Sequence, residues 1–211
     1  IGKGLFWGAF INCGQICAGI KRIYVPEALH DDVVDVLADR ARRVRVGPGT
    51  QAGVHMGPIQ NRPQFERVSG LVADALTDGA SAAAGGAPLD GPGYFFAPTI
   101  LTGAREGMRI VDEEQFGPAV PILTYRSLEE AIERANATRF GLSGSVWGSD
   151  LDRAAAVATE LDCGTAFVND HLALSPDLPF GGSKESGLGV ENGHWGLEEF
   201  TQLQVVHRPA A

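Results

Sequence analysis

Cysteine is scarce in this sequence: the 211 residues contain three of them, Cys13, Cys17 and Cys163. A small, odd number of cysteines argues against a disulfide framework, because disulfides join cysteines in pairs and are dense mainly in small secreted domains. A chain of this length can also bury a sizeable core without such cross-links. These features favour a reducing compartment, and we expect a cytoplasmic protein.

Long apolar runs and an excess of basic residues are missing as well. The sequence has no stretch of the roughly 18 consecutive apolar residues typical of a membrane-spanning helix, and we recognise no signal or transit peptide. Its 17 lysines and arginines are outnumbered by 26 aspartates and glutamates, which gives a formal net charge of -9. Because nucleic acids and anionic membranes attract basic surfaces, we expect neither of them as a partner.

The sequence does contain a regular alternation of strand-like and helix-like segments. Residues 119–125 form a short apolar run typical of a strand, while residues 27–44 repeat apolar side chains at helical spacing. Further on, residues 142–148 and 164–169 are predicted strands on either side of a helix at 149–161. Strands separated by helices predict an α/β fold with three layers, an open, mostly parallel sheet and flanking helices. The apolar faces predicted for the two helices consist of Leu29, Val33, Val36, Leu37 and Val44 in the first and Leu151, Ala155, Ala158 and Leu161 in the second.

The first residues read as the interior of a helix. The sequence opens with IGKGLFWGAFI, which is apolar from the start and has neither an initiator methionine nor a capping Ser, Thr, Asp or Asn. We therefore expect the helix to begin upstream and the chain to be a piece of a longer protein. Because no internal repeat or linker is visible, residues 1–211 are interpreted as one domain.

Two of the cysteines lie in the stretch FINCGQICAGIKR, at positions Cys13 and Cys17. A cysteine reacts as its thiolate, which a nearby cation favours, and Lys21 and Arg22 follow closely. The glycine turn before Cys17 is a place where backbone N–H groups can point at a developing oxyanion. From these residues alone, Cys17 is a nucleophile, one half of a redox pair with Cys13, or a small packing residue, since free cysteines are often buried.

A metal site and a dinucleotide fingerprint are not supported. Zinc ligands usually come as C-x2-C or similar pairs with a second pair elsewhere, whereas the two cysteines are spaced C-x3-C. The segment GKGLFWG has its glycines at the wrong spacing for a G-x-G-x-x-G motif, and no strand precedes it. We expect no bound metal, because the histidines are scattered without ligand spacing at His30, His55, His171, His194 and His207.

Six further segments follow the cysteine stretch in a fixed order: GPGYFFAPTIL, DEEQFGPAVPIL, ANATRFGLSGSVW, GTAFVN, PFGGSKESGLG and GLEEFTQLQVV. Together with FINCGQICAGIKR, an aromatic residue followed by N-x-G-Q-x-C, they resemble the catalytic domain of the aldehyde dehydrogenase superfamily. The resemblance covers nearly all of the 211 residues. Each segment is modestly specific, but their ordered occurrence is strongly so, and it implies the three-layer α/β fold of that domain.

The resemblance also implies a role for individual positions. Cys17 falls on the nucleophile, whereas Cys13 falls on a position without a chemical role. Glu114 falls on the glutamate that holds the ribose next to the nicotinamide, and Phe116 on the aromatic residue that packs beside the nicotinamide. Asn169 falls on a supporting residue near the cysteine loop. The residues implied to contact the aldehyde are Ile16, Ala18 and Leu174, whose apolar character suggests an apolar aldehyde, with His171 as a polar point at the mouth.

The implied activity is the NAD(P)-dependent oxidation of a small-molecule aldehyde to a carboxylic acid. In that reaction Cys17 forms a thiohemiacetal, hydride passes to NAD or NADP, and water releases the acid from a thioester. The family's ELGGK segment, which carries the general base, and its N-terminal NAD-binding domain are absent from this sequence. We therefore expect the 211-residue chain alone to be inactive, and the full-length enzyme to be a homo-oligomer, a dimer or a tetramer. Two alternatives stay open: a cysteine-dependent esterase or acyltransferase, and a non-catalytic module that self-associates.

Overall fold

The structure, a computed structural model, describes residues 1–210 and is built around a four-stranded sheet. The order of its strands is β1-β4-β3-β2, with β1 and β3 parallel to β4 and β2 antiparallel to β3. Helices flank this sheet, so the predicted α/β class with a mostly parallel sheet is confirmed. The four strands are β1 (Ile23–Pro26), β2 (Ser81–Ala84), β3 (Thr99–Thr102) and β4 (Ala119–Tyr125).

Strand β4 is central and nevertheless contains a proline, Pro121. Its pairing with β3 runs as far as Leu101 opposite Pro121, and its pairing with β1 begins one residue later, with Ile23 opposite Ile122. A proline has no N–H to give to a neighbouring strand, which normally confines it to edges. Pro121 is tolerated because it lies where the hydrogen bonding of β4 changes from one neighbour to the other.

Seven α-helices lie within residues 1–210. Capping side chains start two of them: the Asn61 side chain accepts a hydrogen bond from the Gln64 N–H, and the Ser127 side chain accepts one from the Glu130 N–H. The helices are α1 (Gly2–Phe10), α2 (His30–Arg43), α3 (Arg62–Thr77), α4 (Arg109–Asp112), α5 (Leu128–Asn136), α6 (Leu151–Ala158) and α7 (Gly193–Glu198).

The second half of the chain forms three small two-stranded sheets. β6 pairs in parallel with β7, whereas β5 with β9 and β8 with β10 are antiparallel. The predicted alternation of strands and helices is thus present, but within the described residues its strands do not extend the central sheet. These strands are β5 (Phe140–Gly141), β6 (Ser143–Val146), β7 (Thr165–Val168), β8 (Phe180–Gly181), β9 (Ser183–Lys184) and β10 (Val190–Glu191).

The buried faces of α2 and α6 differ from the predicted ones. A 3-10 turn at Glu27–Leu29 precedes α2, so the helical phase starts at His30 and leaves Leu29 and Val36 exposed. In α6, Leu151 lies in the first turn and is exposed. Leu37 and Ala158 are buried as predicted, and the other side chains that face the core are Val34, Ala38 and Ala41 in α2 and Ala154 in α6.

Among residues 1–210, no helix has both the length and the apolar character that crossing a membrane requires. The same residues contain no group of three or more His, Cys, Asp or Glu side chains that could hold a metal ion. Residues 201–210 are exposed and form neither helix nor strand.

Candidate active site

The loop that carries Cys17 begins with a left-handed turn after α1. Asn12, Cys13 and Gly14 have φ values of 50°, 60° and 69°, a region that most side chains avoid and that glycine and asparagine tolerate best. Nδ2 of Asn12 donates to the Gln15 carbonyl oxygen at 3.0 Å and stabilises the turn. The turn separates the two cysteines of the motif, because it leaves Cys13 buried and Cys17 exposed.

Cys17 itself occupies a tight turn. The Gly19 N–H donates to the Ile16 carbonyl oxygen at 3.1 Å and closes this turn. The Ile20 N–H then donates to the Gly8 carbonyl oxygen at 2.9 Å, which fixes the end of the loop to α1. An exposed thiol on a fixed turn combines the access and the constant direction that a nucleophile needs.

Gln15 ties the cysteine loop to a second segment of the chain. Its Oε1 accepts a hydrogen bond from the Gln60 N–H at 2.9 Å, and its Nε2 donates to the Pro58 carbonyl oxygen at 3.4 Å. The conformation of the cysteine loop therefore depends on contacts across more than 40 positions of sequence, which the motif itself does not show.

The Ala18 carbonyl oxygen is held by two side chains. It accepts hydrogen bonds from Oγ of Ser143 at 3.2 Å and from Nε2 of His171 at 2.6 Å. Because a carbonyl can only accept, the proton of His171 lies on Nε2. Burial lowers the pKa of His171, which keeps the ring neutral near pH 7, and its Nδ1 is also buried. His171 therefore acts on the cysteine loop as a donor.

The structure brings together three of the four residues predicted to contact the aldehyde. Ile16 and Ala18 flank Cys17 in sequence, and His171 reaches the carbonyl of Ala18. Ala18 is only 2 % exposed, and His171 is half-buried. Leu174 lies three residues beyond His171 and is 49 % exposed. The role of these four side chains in binding an aldehyde stays a prediction.

Glu114 and Phe116 lie on the loop between α4 and β4, which side chains of α3 hold in place. Nε2 of Gln64 donates to the carbonyl oxygens of Gln115 at 2.8 Å and Phe116 at 2.9 Å, and Arg67 donates to that of Glu114 at 3.1 Å. Phe116 has a φ of 46°, which is costly for a bulky side chain. The bonds from α3 stabilise this strained backbone.

Lys21 joins the Glu114 loop to the cysteine loop. Its Nζ donates to the carbonyl oxygens of Gly14 at 3.1 Å and Ile16 at 2.9 Å. The same atom lies 3.9 Å from Oε1 of Glu114 and 5.1 Å from the ring centroid of Phe116. Lys21 thus connects the loop of Cys17 with Glu114 and Phe116, which lie about 100 positions further along the sequence.

Asn169 is a structural residue of the neighbouring small sheet. Its Nδ2 donates to the Gly148 carbonyl oxygen at 2.6 Å, and its Oδ1 accepts from the Gly148 N–H at 2.8 Å. This pair of bonds fastens the ends of β6 and β7 at the start of the loop that carries His171. The predicted supporting role therefore stays a prediction, with His171 as the route by which Asn169 would act on the cysteine loop.

Cys13 differs from Cys17 in its burial, and this sets its protonation. Burial raises the pKa of the Cys13 thiol from 9.0 to about 12, so this thiol stays neutral across the physiological range. Burial also raises the pKa of Cys163, which accordingly favours its neutral form. A neutral, buried thiol is a poor nucleophile, so within the described residues the chemistry expected of this site falls on Cys17.

Alkaline pH is expected to destabilise the fold through Cys13. In the unfolded chain the thiol ionises near pH 9.0, whereas in the folded chain it does so near pH 12, so the stability that a neutral Cys13 supports is lost as pH rises through this window. The free energy of unfolding falls by at most about 1.4 kcal/mol per pH unit. Urea unfolding at pH 7 to 10.5 should show a smaller alkaline loss in Cys13→Ala, and equal losses would contradict the prediction. Tyr24, whose pKa burial also raises to about 12, contributes equally to both chains.

Several residues of this site escape sequence reasoning. Lys21 is visible as a nearby cation, but the direction of its side chain is not. Gln64 and Arg67 occupy the first turns of a helix far from either motif, and no pattern marks them as holding the Glu114 loop. Gln115 is buried and donates from Nε2 to the Lys21 carbonyl oxygen at 3.2 Å. Three acidic residues precede Gln115 in the sequence, so the local pattern gives no sign that its side chain is buried.

Comparison with known proteins identifies the family. The model of the aldehyde dehydrogenase family matches residues 2–206. The cytosolic aldehyde dehydrogenase 2 of Macroscelides proboscideus is 38 % identical over 199 residues, which are 94 % of this chain and 83 % of that protein. A mitochondrial aldehyde dehydrogenase of Leishmania tarentolae is 37 % identical over 198 residues, which are 94 % of this chain and 40 % of that protein.

Solved structures agree with the sequence comparison. The NAD+ complex of an aldehyde dehydrogenase from Bacillus cereus superposes with a TM-score of 0.92 at 38 % identity, covering 95 % of this chain and 41 % of that one. Lactaldehyde dehydrogenase from Escherichia coli gives a TM-score of 0.93 at 35 % identity, covering 97 % and 43 %. This chain thus spans about two fifths of the length of most of these proteins. The chain belongs to the aldehyde dehydrogenase family.

Proposed function

We propose that this chain is the cysteine-bearing part of an NAD(P)-dependent aldehyde dehydrogenase, in which Cys17 attacks the aldehyde. The observation that carries the proposal is the connection through Lys21, whose Nζ contacts both the loop of Cys17 and the side chains of Glu114 and Phe116. One exposed thiol and two candidate cofactor-side residues thereby form a single site. Family membership supports the same reaction class.

The reaction step that the chain's own residues carry out is a nucleophilic addition. The Cys17 thiolate adds to the aldehyde carbon and forms a thiohemiacetal, whose oxygen carries the developing negative charge. A nicotinamide cofactor, when bound, supplies the hydride acceptor that this adduct needs in order to become a thioester. The turn from Ile16 to Gly19 keeps the Cys17 thiol in one direction throughout, which is the positional contribution of this chain.

Glu114 and Phe116 suit the nicotinamide end of the cofactor. The carboxylate of Glu114 is 39 % exposed, so its oxygens are accessible to the hydroxyl groups of a ribose. Phe116 offers a half-buried aromatic ring two residues away, on a backbone that Gln64 holds in a strained shape. The strain itself supports a functional role, because residues in rare backbone conformations are concentrated at binding and catalytic sites.

A general base is expected from outside the 211 residues. Release of the acid from a thioester requires an activated water molecule, and the family segment that carries the activating glutamate does not occur in this sequence. His171 does not replace it, because its Nε2 proton is donated to Ala18 and its Nδ1 is buried. We therefore propose that the isolated chain does not oxidise aldehydes.

Activity measurements test this proposal directly. We expect the protein as its host makes it to reduce NAD+ or NADP+ when an aldehyde is added, and the purified 211-residue chain to produce no reduced nicotinamide. In the host-made protein, Cys17→Ala should lower turnover by about 10³-fold or more, because it removes the nucleophile. Cys13→Ala is the matched control and should retain turnover. A Cys17→Ala protein with full activity would rule out the assigned nucleophile.

An esterase or acyltransferase that uses Cys17 is the second candidate. It is favoured by the presence of a histidine, His171, one hydrogen bond away from the residue that follows Cys17. It requires His171 to take a proton from Cys17, but the Nε2 proton of the ring is donated to Ala18 and the remaining acceptor, Nδ1, is buried. The dehydrogenase proposal therefore fits the geometry better.

The partners and location are part of the same proposal. We propose a homo-oligomer in which the exposed apolar C-terminal residues contact another copy, because such side chains are usually covered in an assembly. The cytoplasm is the proposed location, since the three cysteines are free, as expected in a reducing compartment. The exposed apolar side chains are Phe200, Leu203, Val205 and Val206.

A further inference from the structure

The contacts of Lys21 exceed what a surface lysine makes. Its side chain is only 21 % exposed, and its ammonium group donates hydrogen bonds to two carbonyl oxygens of the cysteine loop, those of Gly14 and Ile16. These two carbonyls lie at the end of the left-handed turn and just before Cys17. An ammonium group that binds both of them fixes the path of the chain into the nucleophile.

The positive charge of Lys21 lies close to the acidic groups of the site. Burial lowers the pKa of Lys21, while the Glu114 carboxylate and, next, the Cys17 thiolate act in the opposite direction and favour its charged form. In return the charge of Lys21 lowers the pKa of His171, although burial of the ring is the larger cause there. The ammonium group of Lys21 therefore lies within electrostatic reach of Cys17, Glu114 and His171.

The neighbouring cation, Arg22, does not share this role. Its guanidinium donates to the hydroxyl of Tyr24 at 3.0 Å and to the carbonyl oxygen of Ala135 at 3.2 Å, on the side of β1 and α5. Of the two basic residues that follow Cys17 in the sequence, the structure therefore turns Lys21 toward the site and Arg22 away from it.

We propose that Lys21 is a positioning residue for the nucleophile: it binds the two carbonyls that precede Cys17 and fixes the cysteine loop against Glu114. This inference rests on the proposed function, in which Cys17 is the reacting group. Lys21 is a cation close to the nucleophile in the sequence, and it connects the nucleophile's loop to the candidate cofactor-side residues Glu114 and Phe116. The groups that face its ammonium are Cys17, Glu114, Phe116 and His171.

Three substitutions separate the charge of Lys21 from its hydrogen bonds. Lys21→Met removes both, Lys21→Gln keeps a neutral donor, and Lys21→Arg keeps the charge and the donors. Lys3→Met, on the exposed side of α1, is the matched control for loss of one positive charge. The rate of Cys17 alkylation by iodoacetamide is measured from pH 6 to about 10 by mass spectrometry, together with the thermal unfolding of each chain.

Rescue by arginine distinguishes positioning from a merely structural role. We expect alkylation of Cys17 at pH 7 to be about tenfold slower in Lys21→Met and Lys21→Gln, because neither side chain supplies the ammonium group that binds the Gly14 and Ile16 carbonyls and positions the turn of Cys17. Lys21→Arg should restore most of the rate, and Lys3→Met should match the unaltered chain. If Lys21→Met fails to fold, the Cys17 alkylation rates of Lys21→Gln and Lys21→Arg are compared instead and test the same role.

Two different ratios keep this inference separate from the proposed function. The proposed function is judged by whether Cys17 reacts faster than Cys163 in the unaltered chain. The role of Lys21 is judged by the ratio of the Cys17 rates between variants. Equal Cys17 rates in the Gln and Arg variants, or a Lys21→Met rate like that of the unaltered chain, would overturn the positioning role even if Cys17 is the nucleophile.

Discussion

Replacing Cys17 with alanine is expected to abolish the fast reaction of this chain with iodoacetamide, from about one equivalent per chain to none. Cys13 does not compensate, because a thiol with a pKa of about 12 is a thiolate to only about one part in 10⁴ at pH 8. Burial raises the pKa of Cys163 too, and its slow reaction forms a separate phase. Intact-mass measurement over time, followed by peptide mapping, identifies the modified residue.

The same experiment contains its own controls. Cys13→Ala and Cys163→Ala should both keep the fast phase, because neither thiol is exposed as that of Cys17 is. Denaturation in urea should make all three cysteines of the unaltered chain react at similar rates, which would show that the fold causes the difference. A fast phase that survives in Cys17→Ala, or disappears in Cys13→Ala, would mean that the reactive thiol is assigned to the wrong position of the motif.

Sequence reasoning succeeds here where a feature depends on a few neighbouring residues. The side chains of Asn61 and Ser127 cap α3 and α5 from the position just before each helix, where asparagine and serine are common start signals. The α/β class follows from the alternation of segments and is confirmed as well. By contrast, the prediction that Leu29 and Val36 are buried fails, because a short 3-10 turn shifts the phase of α2 by an amount that a periodic pattern does not contain.

In the candidate site too, sequence reasoning misses what depends on residues far apart in the chain. The C-x3-C spacing leaves open which cysteine reacts, and the answer comes from three consecutive left-handed residues that bury Cys13. The contact between Gln64 and the Phe116 carbonyl joins positions 52 residues apart, and a single sequence holds no record of such a pair. The ordered motifs name Cys17, Glu114 and Phe116, whereas the residues that hold them together emerge only from the fold.

Gly14 is a position where the cysteine loop packs directly against the loop of Glu114 and Phe116. Its φ of 69° is left-handed, and a Cβ at this position would lie closer than 3.0 Å to the Gly117 carbonyl oxygen and 2.7 Å from its carbonyl carbon. Both obstacles are backbone atoms, and Gly117 is buried against Val68 of α3. A side chain at Gly14 therefore cannot be accommodated by a change of rotamer, and one of the two loops must move.

We expect Gly14→Ala to destabilise the chain by about 2–5 kcal/mol, the sum of a left-handed alanine and an overpacked contact. Alkylation of Cys17 should slow as well, because the displaced turn no longer presents Gly14 and Ile16 to Lys21. Urea unfolding measures the first effect. Gly49→Ala is the matched control, since a methyl group at Gly49 would meet no atom within 4 Å and this glycine has no left-handed φ. If the two variants unfold alike, the two loops do not meet at Gly14, and the site described for Cys17 and Glu114 is not the one that the folded chain forms.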